Sequence, residues 1–300
     1  MALRCVKAGM SSDCGVFRLN ELTAMGWTAD GIKQARRAGR LTSLGYGWVR
    51  ASGADSSAVA AVSAGGALSC VSALRFHQVH GNPGIWIPPG HSETHVRLSK
   101  HMKSTPRPSG PFRWCRGFGQ PLPVRTAVDP IPLAIGCAAR CLAAEEWIAV
   151  VDSILNTSEW TIPDIQADMG RVARTVAAMF ERCDARSQSG TESVARLRLV
   201  AAGFGVQVQP SIGGREHADL RTGSLLIECD GRSYHSDADA FRNDRRRDRK
   251  TMIHRWMTMR LTYDDVLYGW DEVLEEIRAV TRPDRHRIRR RADTRHTDPS

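Results

Sequence analysis

Read for the spacing of its apolar and polar positions, the chain breaks into stretches of different period. In residues 224 to 230, SLLIECD, Leu225, Ile227 and Cys229 alternate with Leu226, Glu228 and Asp230. The pattern predicts a strand that buries one apolar face and carries two carboxylates at i, i+2 on the other. Just before it, EHADLRTG places Asp219 nine positions ahead of Glu228, which suits adjacent antiparallel strands joined by an Arg221-Thr222-Gly223 turn. Earlier still, a helix is predicted with Thr191 near its N-cap and Glu192 in its first turn. Its apolar positions are Val194, Leu197, Leu199 and Val200, and it stops at Gly203 before a strand near 205–209. Glu192, Asp219 and Glu228 are thereby expected to converge, with Asp230 and His235 close by. Carboxylates gathered at the end of an apolar strand repel one another and resist burial unless a cation sits between them. Their hard oxygen atoms suit a divalent ion, Mg2+ or Mn2+.

Residues 15–51 show a different rhythm. Asn20 is placed to cap a short helix ending at Gly26, and Thr28 to cap a second that runs to Ala38 and terminates at Gly39. Leu41, Leu44, Tyr46, Trp48 and Val49 around Gly45 and Gly47 predict a hairpin, so the segment reads as helix-turn-helix plus wing. Lys33, Arg36, Arg37 and Arg40 gather on or just after the second helix, with Glu21 and Asp30 the only acids of the segment. That distribution fits a recognition helix facing phosphate and base edges.

The middle, from about Asp55 to Arg186, carries less. Ser56 and Ser69 are placed to cap two Ala-rich helices ending near Gly65 and Gly81, and IWIPPG, THVRLSK, FRWCRGF and LPVRTAV read as short strands separated by Pro and Gly. From Asp129 the pattern turns helical through about Cys183, with one helix over 161–169. This region is expected to connect rather than to hold a second active site. The tail RPDRHRIRRRADTRHTDPS has no apolar period; it is expected to be disordered, either trailing along nucleic acid or merely solvated.

Composition sharpens the picture in two respects. A net charge of +10, carried by Arg far more than by Lys, favours a polyanionic partner, because guanidinium groups bind phosphate bidentately. Part of that excess is a compositional bias shared with the many Ala and Gly residues. The eight cysteines, at 5, 14, 70, 115, 137, 141, 183 and 229, form no CxxC pair and have no His at zinc-finger spacing, which fits a reduced cytoplasm. Cys137 and Cys141, at i, i+4, read as two small apolar side chains on one helix face. His91, His95 and His101 lie on a Pro/Gly-rich loop and one strand without a Cys partner, and a metal reading for them is set aside. No signal peptide or membrane-spanning run is evident, since the most apolar stretch is interrupted by Arg140, Glu145, Glu146 and Asp152.

Two resemblances follow from these motifs. Residues 189 to 280 carry Glu192 and Arg196 on a helix, then Gly214-Arg215 through Asp219-Leu220 on a strand. Glu228, Asp230, Gly231, Tyr234 and His235 close the next strand. Phe241, Asp244, Arg245, Arg246, Arg247 and Asp248 follow on a predicted helix, and Arg260, Thr262, Asp265 and Val266 at a strand-to-helix step. This run resembles the domain-of-unknown-function family related to Vsr, the very-short-patch-repair endonucleases, and more broadly the PD-(D/E)xK nucleases. The resemblance implies Mg2+-dependent phosphodiester hydrolysis with Asp219 and Glu228 as metal ligands and Glu192 acting through water or orienting a ligand. Asp230 occupies the position of the usual Lys, which implies a variant in which Asp230 and His235 position or deprotonate the attacking water, while Arg245, Arg246 and Arg247 hold the nucleic-acid backbone. The wing sequence GRLTSLGYGWV resembles the N-terminal winged helix of AbiEi-type antitoxins, which implies DNA as partner and admits a cognate toxin.

The expected architecture is therefore α+β and multidomain. It comprises a winged helix-turn-helix (1–54), an α+β and helical middle (55–186), a Vsr-like, restriction-endonuclease-like α/β domain (187–282) and a basic tail (283–300). The expected function is a cytoplasmic, DNA-binding, Mg2+-dependent endonuclease. The alternative is a non-catalytic DNA-binding regulator of antitoxin type built on a degenerate nuclease fold. An RNA substrate stays open, as do the recognition sequence and the oligomeric state.

Overall fold

The computed structural model describes residues 14–99, 112–170, 172–213, 216–230 and 256–281. His101, Gly214, Arg215, Gly231, Tyr234, His235, the 241–248 motif with Arg245, Arg246 and Arg247, and the basic tail lie outside them. The chain is mixed α+β with several small sheets, and it divides into two compact units, residues 1–185 and 186–300.

The first unit opens with β1 (Val16–Arg18), α1 (Leu19–Ala24), α2 (Ala29–Arg37), β2 (Leu41–Gly45) and β3 (Trp48–Ala51), with the strands in the order β1-β3-β2. Leu22, Ile32, Ala35, Leu41 and Val49 form its core. The Thr28 hydroxyl accepts from Gly31 N–H at 3.1 Å and caps α2 as expected. Helix α1 begins at Leu19, ahead of the expected cap at Asn20, because Glu21 Oε2 accepts from Arg18 N–H at 2.7 Å and satisfies the helix start there. At the hairpin tip Gly45, Tyr46 and Gly47 all have positive φ (89°, 49° and 78°). Two glycines remove the steric cost of that tight turn and leave Tyr46 projecting into solvent.

The rest of this unit contains α3 (Ser56–Ser63), β4 (Gly66–Leu68), α4 (Cys70–His80), β5 (Thr94–Leu98) and β6 (Phe112–Cys115), followed by α5 (Ile131–Ala138), α6 (Ala144–Thr157), α7 (Ile162–Met169) and α8 (Arg174–Phe180). Asp55, not Ser56, caps α3, its carboxylate accepting from Ala58 N–H at 2.7 Å. The sheet order is β4-β5-β6, with β4/β5 antiparallel and β5/β6 parallel. Strand β4 was not anticipated. Its Gly66 lies so close to β5 that a Cβ would stand 2.6 Å from the Arg97 carbonyl oxygen. IWIPPG and LPVRTAV do not form strands; prolines remove the donors a ladder needs, and only a single bridge pairs Leu68 with Val128. Behind the sheet, Arg97 and Asp129 form a buried bidentate pair (2.6 and 2.7 Å). Trp147 on α6 is fully buried, donating from Nε1 to the Ile135 carbonyl at 3.0 Å.

The second unit is built on α9 (Gly190–Ala201), which packs on a four-stranded sheet ordered β12-β11-β10-β7. Its strands are β7 (Gln207–Val208), β10 (Leu220–Thr222), β11 (Leu225–Cys229) and β12 (Met257–Leu261), and a side ribbon is formed by β8 (Ser211–Gly213) and β9 (Glu216–His217). β10 and β11 are antiparallel, with Leu220 opposite Ile227, while β11 and β12 run parallel, with Glu228 opposite Arg260. Leu225, Leu226, Ile227 and Cys229 are all buried. The alternation expected for β11 therefore fails at Leu226, which packs with Ile212, Ala218 and Trp256 on the second face of the sheet. Two short helices follow, α10 (Tyr263–Leu267) and α11 (Trp270–Val280). The Thr262 hydroxyl accepts from Asp265 N–H at 3.2 Å and Asp265 Oδ2 accepts from Thr262 N–H at 2.8 Å. Those two motif residues thus serve to start α10.

Candidate functional site: a carboxylate cluster beside strand β11

Helix α9 starts two residues earlier than Thr191 would set it. Ser189 is the cap, its hydroxyl accepting from Glu192 N–H at 3.1 Å. That start places Glu192 in the first turn, 3% exposed, where Oε2 accepts from Gln188 N–H at 3.0 Å and from Gln209 Nε2 at 3.1 Å. Burial, with Asp219 adding its negative charge, pushes the Glu192 carboxyl up to about 7.

Gln209 is the piece that sequence reading missed. It adopts a positive φ of 49°, an uncommon conformation for a residue with a side chain. Its N–H donates to the Asp219 carbonyl at 2.9 Å. Its side-chain amide reaches Glu192 at 3.1 Å and Asp219 Oδ1 at 3.5 Å, so one amide group faces two carboxylates. Asp219 Oδ2 accepts from Cys229 N–H at 2.8 Å, which ties it to the end of β11. The Cys229 thiol is raised first by its burial and then by Asp219, Glu192, Glu228 and Asp230. Glu192 on α9, Asp219 in the bend before β10, Glu228 on β11 and Asp230 just after it therefore all act on the Cys229 thiol at the end of β11, an interior strand of the sheet. Asp230 is held by its N–H donating to the Leu261 carbonyl at 2.8 Å.

The structure thus brings Glu192 and Asp219 together at the Gln209 amide and puts Glu228 and Asp230 within electrostatic reach of the Cys229 thiol. Among the described residues these four carboxylates do not draw together into a ready-made metal cradle, although oxygen ligands such as theirs are the kind that Mg2+ takes. Burial first, and then the Asp219 charge, favour a neutral Glu192 carboxyl, and either a proton or a cation relieves that conflict. His235 lies outside the described residues. In the first unit Lys33, Arg36, Arg37 and Arg40 are all exposed, on or just after α2.

A second constellation contradicts the reading of the cysteines and histidines. Ligand atoms of Cys70, His95, Cys115 and Cys141 all lie within 4.8 Å of one another. His95 does have cysteine partners, and Cys141 joins them rather than pairing with Cys137 as an apolar helix face. The four residues come from different elements spread over about 70 positions of sequence, so no local spacing could mark them. No family model matches the chain, and no curated protein matches it significantly.

Proposed function

We propose that the protein is a metal-dependent endonuclease acting on DNA, with residues 15–51 as a winged helix that delivers it and the second unit as a Vsr-like nuclease domain. The observation that carries this reading is the meeting of Glu192 and Asp219 at the Gln209 amide, beside the strand end that bears Glu228 and Asp230. In this reading Asp219 and Glu228 hold Mg2+ or Mn2+. When bound, the ion supplies a lowered pKa for attacking water and neutralises charge developing on the phosphate. Gln209 fixes the Asp219 and Glu192 carboxylates so that their oxygens are presented without rotamer search. Glu192 orients that shell, Asp230 takes the place where a Lys would stand, and His235, near neutral in its ordinary titration, accepts the water's proton. Lys33, Arg36, Arg37 and Arg40 hold phosphates of the duplex, and Arg245, Arg246 and Arg247 hold the backbone near the cut.

The test is nicking of supercoiled DNA by the full chain with Mg2+ or Mn2+. Cleavage abolished by EDTA and restored by excess metal is the expected result.

One observation favours a second reading: Asp230 brings a further negative charge where the nuclease pattern has an ammonium. A regulator that binds DNA without cutting it, on a degenerate nuclease fold, gives DNA binding by α2 and no cleavage with any divalent ion. A cognate toxin would be its partner.

A further inference from the structure

Cys70 stands at the N-terminus of α4, His95 on β5, Cys115 at the end of β6 and Cys141 in the turn after α5. Cys115 Sγ is 3.6 Å from Cys141 Sγ and 3.4 Å from His95 Nδ1, and Cys70 hydrogen-bonds both other thiols. Cys70, His95 and Cys115 are buried, while Cys141 is half-buried, and all three cysteines are free. Zinc bound tetrahedrally at about 2.3 Å from sulfur and 2.0–2.1 Å from nitrogen requires edges of about 3.8 Å between sulfurs and about 3.6 Å between sulfur and nitrogen. Those two separations differ from the ideal edges by about 0.2 Å, and all four ligand atoms lie within 4.8 Å of one another, so side-chain shifts suffice to close them on an ion.

Other features of the cluster point the same way. His95 Nε2 is buried with no hydrogen-bond partner among the described residues, so the ring's polar contact is made at Nδ1, toward the sulfurs. Cys70 holds a φ of 54° at the first residue of its helix, a strained conformation that persists where surroundings over-determine it. The exposed Arg113 hydrogen-bonds Cys141, and a cation there offsets the net negative charge of three thiolates on a divalent ion.

We propose that Cys70, His95, Cys115 and Cys141 form a closed, four-ligand structural zinc site in the first unit. All four positions are filled by protein, so the ion has no open place for water or substrate and its role is to fasten elements. It joins the start of α4 to the two parallel strands and to the turn after α5, adding to the hydrogen bonds that Ser69 and Ser72 already make to β5 and the residue before it. The site is independent of the carboxylates of the second unit and stands whether or not those cut DNA.

The experiment is elemental analysis of the full chain purified without chelator, paired with Co2+ substitution. One zinc per chain is expected, together with the visible absorption of tetrahedral thiolate-bound Co2+ after exchange. Cys115→Ser and His95→Ala should lower zinc affinity by more than the ~10–100-fold that loss of an outer-shell partner costs. Asp219→Asn should retain the full zinc content. Should the ligand variants fail to fold, the wild-type chain decides alone, by zinc content and by the thiols that react before and after zinc is removed. A metal-free chain with three freely titrating thiols, or one with a Cys115–Cys141 disulfide in mapped peptides, would overturn the proposal. So would zinc retained undiminished by both variants.

Discussion

Glu192 is where burial and charge conflict most directly. Its carboxyl is raised from 4.5 to about 7 by burial and by Asp219, so between those values the folded chain holds a proton that the unfolded chain has released. Unfolding there releases a proton. The stability this group contributes is therefore complete below about pH 4.5 and lost as pH rises to about 7, amounting to about 3 kcal/mol at about 1.4 kcal/mol per unit. Denaturant titrations of wild type and Glu192→Gln across that window should differ by this slope, and Mg2+ should flatten the wild-type curve. Parallel curves for the two chains would show that the carboxyl titrates normally. Arg97 and Asp129 make the opposite case, a buried charge already matched. Asp129→Ala leaves a guanidinium that is 7% exposed without its partner and should lower unfolding free energy by roughly 3–5 kcal/mol. Arg97→Met combined with Asp129→Leu should recover most of that loss, which the denaturation midpoint of the first unit would read.

At the scale of elements, α2 and its hairpin are where charge meets shape. Lys33, Arg36, Arg37 and Arg40 are exposed together, so duplex binding by the full chain should weaken with salt at a log–log slope of about −3 to −4, as for three or four neutralised phosphates. Arg36→Glu with Arg37→Glu should flatten that slope; binding that keeps its slope would assign this unit to protein contacts instead. These elements were legible because their signals are local: Thr28 caps α2, Gly39 ends it, and Gly45 and Gly47 frame the hairpin tip. So was Thr161 at the start of α7. Caps at Ser189 and Asp55 were misplaced by one or two residues because neighbouring Thr191 and Ser56 offer the same chemistry. Strand β4 escaped notice because three residues carry no period. The acids Glu192 and Asp219 could be read from their positions, whereas Gln209 could not, since its role depends on a backbone turn. The Cys70, His95, Cys115 and Cys141 cluster was invisible for a stronger reason: strand pairing, not spacing, assembles it.

Across the whole molecule the basic helix and the thiol–imidazole cluster belong to one unit and the carboxylates to the other. Binding and cutting should therefore separate. Asp219→Asn and Glu228→Gln keep side-chain shape while removing negative charge, so DNA retention should persist or rise slightly as fewer acids face phosphate. The measurement that bears most directly on the account is the Mg2+-dependent nicking rate of the full chain beside that of the Asp219→Asn, Glu228→Gln double variant, at matched zinc content and matched DNA retention. A parent chain that cuts and a double variant slower by orders of magnitude is the outcome the carboxylate site requires. A parent chain that never cuts, or a double variant that cuts equally fast, would contradict it.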